Sequence, residues 1–77
     1  MARYRRMDVL NAMYATGVVP VFYHSDPEVV SNVARACARG GARLLEFTNR
    51  GDFAWEVFRE LERFCARELP EMITGVG

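Results

Sequence analysis

Apolar residues fall at Val9, Leu10, Met13 and Tyr14 near the start of the chain. Spacing of three and four predicts a short amphipathic helix over Arg5–Ala15, closed by Gly17. Val18–Tyr23 (VVPVFY) is an almost wholly apolar run. It predicts a strand buried on both faces, as in parallel sheets, with Pro20, which cannot donate to a ladder, as its weak point. Ser25-Asp26-Pro27-Glu28 opens the next helix, with Asp26 as cap and Pro27 at the first helical position. Val30, Val33, Ala34 and Cys37 share one face of it, and Gly40-Gly41 stops it. Ala42–Thr48 (ARLLEFT) is the second predicted strand. Asn49–Asp52 is a turn with Asp52 as N-cap, and a helix from Phe53 to Glu68 presents Ala54, Val57, Phe58, Leu61, Phe64 and Cys65 on one face. Leu69-Pro70 ends that helix, and Met72–Val76 predicts a third strand.

The order is a short helix followed by β-α-β-α-β. Strands alternating with helices imply right-handed crossovers and a parallel sheet, an α/β class fold. The unit repeats in the manner of a (β/α)8 TIM barrel, which needs roughly 200 residues or more. With 77 residues, residues 1–77 are expected to form a single incomplete barrel segment. A three-stranded parallel sheet has two open edges, so the segment is expected to be completed by further polypeptide or by other copies.

Composition changes this picture little. Half the residues are hydrophobic, a quarter are charged and the formal net charge is zero, which is ordinary globular composition and gives no reason to expect nucleic acid or an anionic membrane as partner. No run approaches the roughly 20 apolar residues of a membrane span, and Met1–Met13 has no apolar run of signal-peptide length, so the chain is expected to be cytoplasmic. Cys37 and Cys65 lie on apolar stripes and are expected to be buried thiols. No zinc-type spacing is present. All ten basic residues are arginines. No side chain here can therefore form a Schiff base.

Candidate chemistry concentrates in Leu44-Leu45-Glu46-Phe47-Thr48-Asn49-Arg50. Side chains alternate along a strand, placing Leu45 and Phe47 under the helices and Leu44, Glu46 and Thr48 on the other face. Glu46 is a carboxylate in an apolar strand near its C-terminal end, which is the active face in barrels and a setting that suits a general acid/base. Arg50, just past the strand, offers a bidentate fork to a carboxylate or phosphate. The plainer alternative is that Glu46 pairs with Arg50 or Arg43. Gly75 and Gly77 share one face of the third strand, where glycine lets a ligand approach the backbone; a plain turn is the alternative. His24 ends the first strand as a polar loop residue, Trp55 and the phenylalanines of the last helix are assigned to the core, and Arg3, Arg5 and Arg6 to a solvated terminus.

Three stretches, Val18-Val19-Pro20-Val21, Gly40 through Arg50 (GGARLLEFTNR) and Ile73-Thr74-Gly75-Val76-Gly77, resemble the 2-keto-3-deoxy-6-phosphogluconate (KDPG) / 4-hydroxy-2-oxoglutarate (KHG) aldolase family. Its pattern reads V-P-V, then G-G-x-x-x-[IL]-E-[VI]-T-x-R, then G-A-G-T. Order and spacing match over nearly the whole chain, and the middle motif is the specific one. The resemblance implies the N-terminal part of a class I aldolase on a (β/α)8 barrel, a homotrimer without cofactor or metal, splitting a 2-keto-4-hydroxy acid into pyruvate and an aldehyde. It implies proton shuttling by Glu46, a grip on the pyruvate carboxylate by Arg50, and substrate contact at Thr48, Gly75 and Gly77. Val76 replaces the alanine of G-A-G. The threonine that follows that motif and the Schiff-base lysine are not among these residues.

Two expectations follow. One is an aldolase segment; the other is a non-catalytic partial-barrel module that binds or assembles with other chains. A metal-dependent aldolase lacks support, because no His/Asp/Glu cluster shows ligand spacing.

Overall fold

The structure, a computed structural model, describes residues 3–77. Three helices and three strands alternate along the chain: α1 Arg6–Thr16, β1 Val21–Phe22, α2 Pro27–Arg39, β2 Leu44–Phe47, α3 Ala54–Glu68 and β3 Ile73–Val76. The strands form one sheet in the order β1-β2-β3. Both pairs are parallel, with Val21 opposite Glu46 and Leu44 opposite Ile73. This is the α/β order expected from the sequence.

Alternation on β2 organises the packing. Leu45 and Phe47 enter the main core with Val30 and Ala34 of α2 and Ala54, Leu61 and Cys65 of α3. Both long helices therefore cover the same face of the sheet. Phe47 is fully buried and is ringed by Phe22, Tyr23 and Phe58, with ring centroids 5.5–6.2 Å away, distances at which aromatic pairs attract. On the opposite face a smaller cluster joins Leu44 and Ile73 to Ala12 of α1, flanked by Val9, Val19 and Tyr4. α1 thus covers the N-terminal end of that face.

Local signals explain the element ends. The Asp26 carboxylate accepts from the Glu28 N–H at 2.9 Å, capping α2 as its sequence suggests. Gly17 closes α1 with φ 70° and donates to Met13 O at 2.8 Å. After α2, Gly41 adopts φ 98°, so that Gly41 and Ala42 donate to Ala38 and Cys37 carbonyls; only glycine takes this left-handed geometry without cost.

Several expectations fail. α1 is not amphipathic in the predicted sense: Ala12 is its buried residue, while Leu10 and Met13 are largely exposed and Tyr14 is 94% exposed. Val9 and Ala12 face the sheet, and the rest of the apolar spacing points outward. The strand predicted over residues 18–23 contracts to Val21–Phe22. Pro20 supplies only a carbonyl, which accepts from the Glu46 N–H at 2.9 Å, and as an edge strand β1 leaves Val18 and Val21 exposed rather than buried on both faces. Asp52 does not cap α3. Phe53 occupies that position with φ 58°, a left-handed conformation costing a bulky residue roughly 1–2 kcal/mol. Phe53 and Trp55 pack edge-to-face on each other at 6.5 Å and are both exposed, so Trp55 is not a core residue. Both cysteines are free; Cys65 is buried and Cys37 partly so.

Candidate functional site

Past Leu44 and Ile73 the α1-side face of the sheet opens. The next residues on it are Glu46 and its register partner Gly75. A groove of about 140 Å³ runs along this face, lined by Val9 and Met13 of α1, Val19, Glu46, Ile73 and Gly75 among others. Its walls are largely apolar side chains, and Glu46 is the one ionisable group lining it.

Glu46 is half-buried. Among the described residues it makes no ion pair with Arg43 or Arg50: the ion pairs are Arg5–Asp8, Arg63–Glu60 and Arg67–Glu68, all on the surface. Nor does its carboxylate accept a side-chain hydrogen bond there. Its backbone is fixed, the N–H donating to Pro20 O. The plainer alternative of a structural ion pair is thus absent from the geometry. What remains is a carboxylate on a hydrogen-bonded strand whose oxygens have no partner among the described residues.

Residue 77 completes the face. The Gly77 N–H donates to Phe47 O at 3.0 Å, and Gly77 O accepts from the Asn49 N–H at 2.9 Å, extending the β2–β3 ladder past its last paired residues. A Cβ at Gly77 would stand 2.6 Å from Glu46 Oε2, whereas a Cβ at Gly75 would meet nothing within 4 Å. Glu46, Gly75 and Gly77 are therefore brought together. Thr48 serves the seam with β1: its N–H donates to Phe22 O at 2.9 Å and its hydroxyl to the same oxygen at 3.5 Å. Arg50 is exposed beyond the end of β2. His24 lies outside the groove; its Nδ1 accepts from the Asp26 N–H at 3.0 Å, helping to shape the start of α2.

A second group of polar atoms lies at the base of α3, unforeseen in the sequence. Glu62 Oε1 is buried without a hydrogen-bond partner among the described residues. Burial raises the Glu62 carboxyl above its usual range, with Arg3 acting weakly against it. Burial, aided by the Glu62 charge, pushes the Cys65 thiol up to about 11, again against Arg3. Arg3 and Tyr4 both donate to Pro70 O, which brings the N-terminal segment against the end of α3. The Cys65 thiol is therefore held neutral, the opposite of a reactive cysteine. The only sequence signal was Glu62 lying next to Leu61, the edge of the apolar stripe. The Thr74 hydroxyl is also buried and unpartnered; Thr74 pairs in register with Leu45.

Among the described residues no three His, Cys, Asp or Glu side chains gather as metal ligands, and no helix is long and apolar enough to cross a membrane. No family model matches the chain, and no curated protein matches it.

Proposed function

We propose that this segment carries the acid/base carboxylate and the carboxylate grip of a class I aldolase of the KDPG / KHG type, acting in the cytoplasm as the β-α-β-α-β part of a (β/α)8 barrel in a homotrimer. The observation that carries it is Glu46: a half-buried carboxylate with no ion-pair partner among the described residues, near the C-terminal end of a parallel strand, on an open face beside two glycines. Strands in sequential order with both crossover helices, α2 and α3, on one face are compatible with a barrel, α1 lying across the N-terminal end of the other face. The family and the residue roles rest on the resemblance of the Gly40–Arg50 and Ile73–Gly77 stretches to the aldolase pattern.

The chemistry follows from the groups. An amine condenses with the keto carbon and releases water. As the C3–C4 bond of the 2-keto-4-hydroxy acid breaks, the iminium takes up its electron pair to give an enamine, and the C4 hydroxyl proton departs to leave an aldehyde. Glu46 moves the protons: to and from water at the carbinolamine, and onto the enamine carbon that becomes the pyruvate methyl. Arg50 grips the pyruvyl carboxylate through its planar fork. These 77 residues contain no lysine, so the amine belongs to polypeptide outside them.

Glu46→Gln in the native protein or assembly that contains this segment tests the role. The amide keeps the shape and removes the acid/base, and kcat should fall by about 10²–10⁴-fold with folding intact. An unchanged kcat would refute it. One observation favours the non-catalytic module instead: both sheet edges carry exposed valines, Val21 at 50% and Val76 at 55%, as expected of edges that join other chains. An assembly that forms through those edges and neither cleaves nor exchanges protons on 2-keto acids would establish that alternative.

A further inference from the structure

Gly75 and Gly77 lie on the face that bears Glu46 but differ in what surrounds them. A Cβ at Gly77 would be 2.6 Å from Glu46 Oε2 and 3.0 Å from its Cδ, well inside the ~3.5 Å of a relaxed nonbonded contact. A Cβ at Gly75 would meet nothing within 4 Å. Neither glycine has the left-handed φ that an alanine resists. Residue 77 cannot withdraw from the contact, because its N–H and carbonyl are both bonded, to Phe47 and Asn49. Glu46 cannot withdraw through its backbone, because its N–H is bonded to Pro20. The part free to move is the carboxylate, the end of a flexible side chain that no partner among the described residues holds elsewhere.

We propose that the two glycines do different work: Gly77 is a positioning residue that makes room for the Glu46 carboxylate, and Gly75 keeps the neighbouring surface open for the keto acid. The kinetic part rests on the aldolase function proposed above; the placement of the carboxylate does not. The missing side chain at 77 thus sets where the proton-transferring oxygen stands, a role that takes the place of the substrate contact expected of Gly77 from the sequence. Misplacing a reacting group by about 1 Å can cost 10²-fold in rate, whereas swinging one carboxylate costs the fold little.

NMR of the native protein or assembly that contains this segment, with ¹³C-labelled glutamate, tests the placement, the Glu46 carboxyl resonance being assigned through Glu46→Gln. Gly77→Ala should shift that resonance while leaving the thermal midpoint within about 2 °C. Gly75→Ala, facing empty space, should leave the Glu46 resonance where it is. In a Glu46→Asp background read through ¹³C-labelled aspartate, where the carboxyl is drawn back by one methylene, Gly77→Ala should shift the residue-46 carboxyl resonance much less, a coupling that marks direct contact. In the native assembly Gly77→Ala should lower kcat on the order of 10²-fold with KM within about twofold. A Glu46 resonance unmoved by Gly77→Ala, or moved equally by Gly75→Ala, overturns the proposal, as does a change in KM alone. A displaced Glu46 in an assembly whose wild type has no aldolase activity refutes the proposed function and leaves the placement standing.

Discussion

Glu46 has Gly75 as its register partner across β2 and β3, and the pair before it on the same face, Leu44 and Ile73, is buried under α1. Within one two-residue repeat the face passes from packed core to open groove. The apolar pair anchors the strands beneath the carboxylate, and the glycine leaves the space beside it free. One short strand thus carries both a packed apolar anchor and an open-face carboxylate.

Arg50 should behave as a ligand-gripping arginine. It lies exposed past the end of β2 and makes no ion pair with Glu46 among the described residues. Arg50→Lys keeps the charge and loses the fork. KM in the native assembly should rise about tenfold or more, alike for all 2-keto-4-hydroxy acids, with thermal stability unchanged. Selective damage to a phosphorylated substrate would instead put Arg50 at the phosphate end.

Phe47 should decide whether the chain folds. It is fully buried and touches aromatic residues from β1, α3 and the loop after β1. Phe47→Ala should cost about 3–5 kcal/mol, a large share of the roughly 4–11 kcal/mol expected for a domain this size. Circular dichroism should show a lost or strongly lowered melting transition, while Phe47→Leu keeps a cooperative one. An unchanged melt in Phe47→Ala would contradict this packing.

Glu62 and Cys65 set a pH dependence. Both acids titrate higher in the folded chain than their ordinary values, so the folded state holds their protons more tightly than the unfolded state does. For Cys65, stability is fully present below about 9 and is lost progressively as pH rises toward about 11. For Glu62, ionisation in the folded state costs stability above the usual carboxyl range. Glu62→Gln removes a charge whose desolvation outweighs its attraction to Arg3, so Tm at pH 7 should rise. It should also lower the Cys65 thiol pKa, because the Glu62 charge is one of the causes that raise it. Thermal melts across pH and thiol titration by ultraviolet absorbance check both; a fall in Tm would mean the Arg3 attraction dominates.

Much of this arrangement was legible in the sequence, because the signals were local or strictly periodic. Asp26-Pro27 fixed the start of α2 by cap chemistry, and period-two alternation put Leu45 and Phe47 under the helices and Glu46 on the other face. The failures are tertiary. The apolar residues of α1 look like one stripe, but only part of that helix meets the sheet, so Leu10, Met13 and Tyr14 stay outside. Asp52 has the right chemistry for a cap, yet the turn after β2 brings Phe53 to that position in a left-handed conformation. Trp55 sits on the outer side of the first turn of α3, one residue from buried Ala54. For the site, the closeness of Glu46 and Gly77 depends on the β2–β3 register, which no spacing within either strand reveals. The burial of Glu62 likewise depends on how the N-terminal segment lies against Pro70.

The central claim is that this face serves Schiff-base chemistry with an amine brought from outside the segment. Treating the native assembly with pyruvate and borohydride, followed by peptide mass spectrometry, tests it most directly. The 77 residues offer one amine of their own, the N-terminus at Met1, which lies outside the described residues, and arginine stays protonated and cannot condense. The account predicts one reduced pyruvyl adduct per subunit, on a lysine outside these residues, and no stoichiometric adduct on the 77-residue chain alone. No adduct on the assembly, or efficient trapping on the isolated chain, would contradict it.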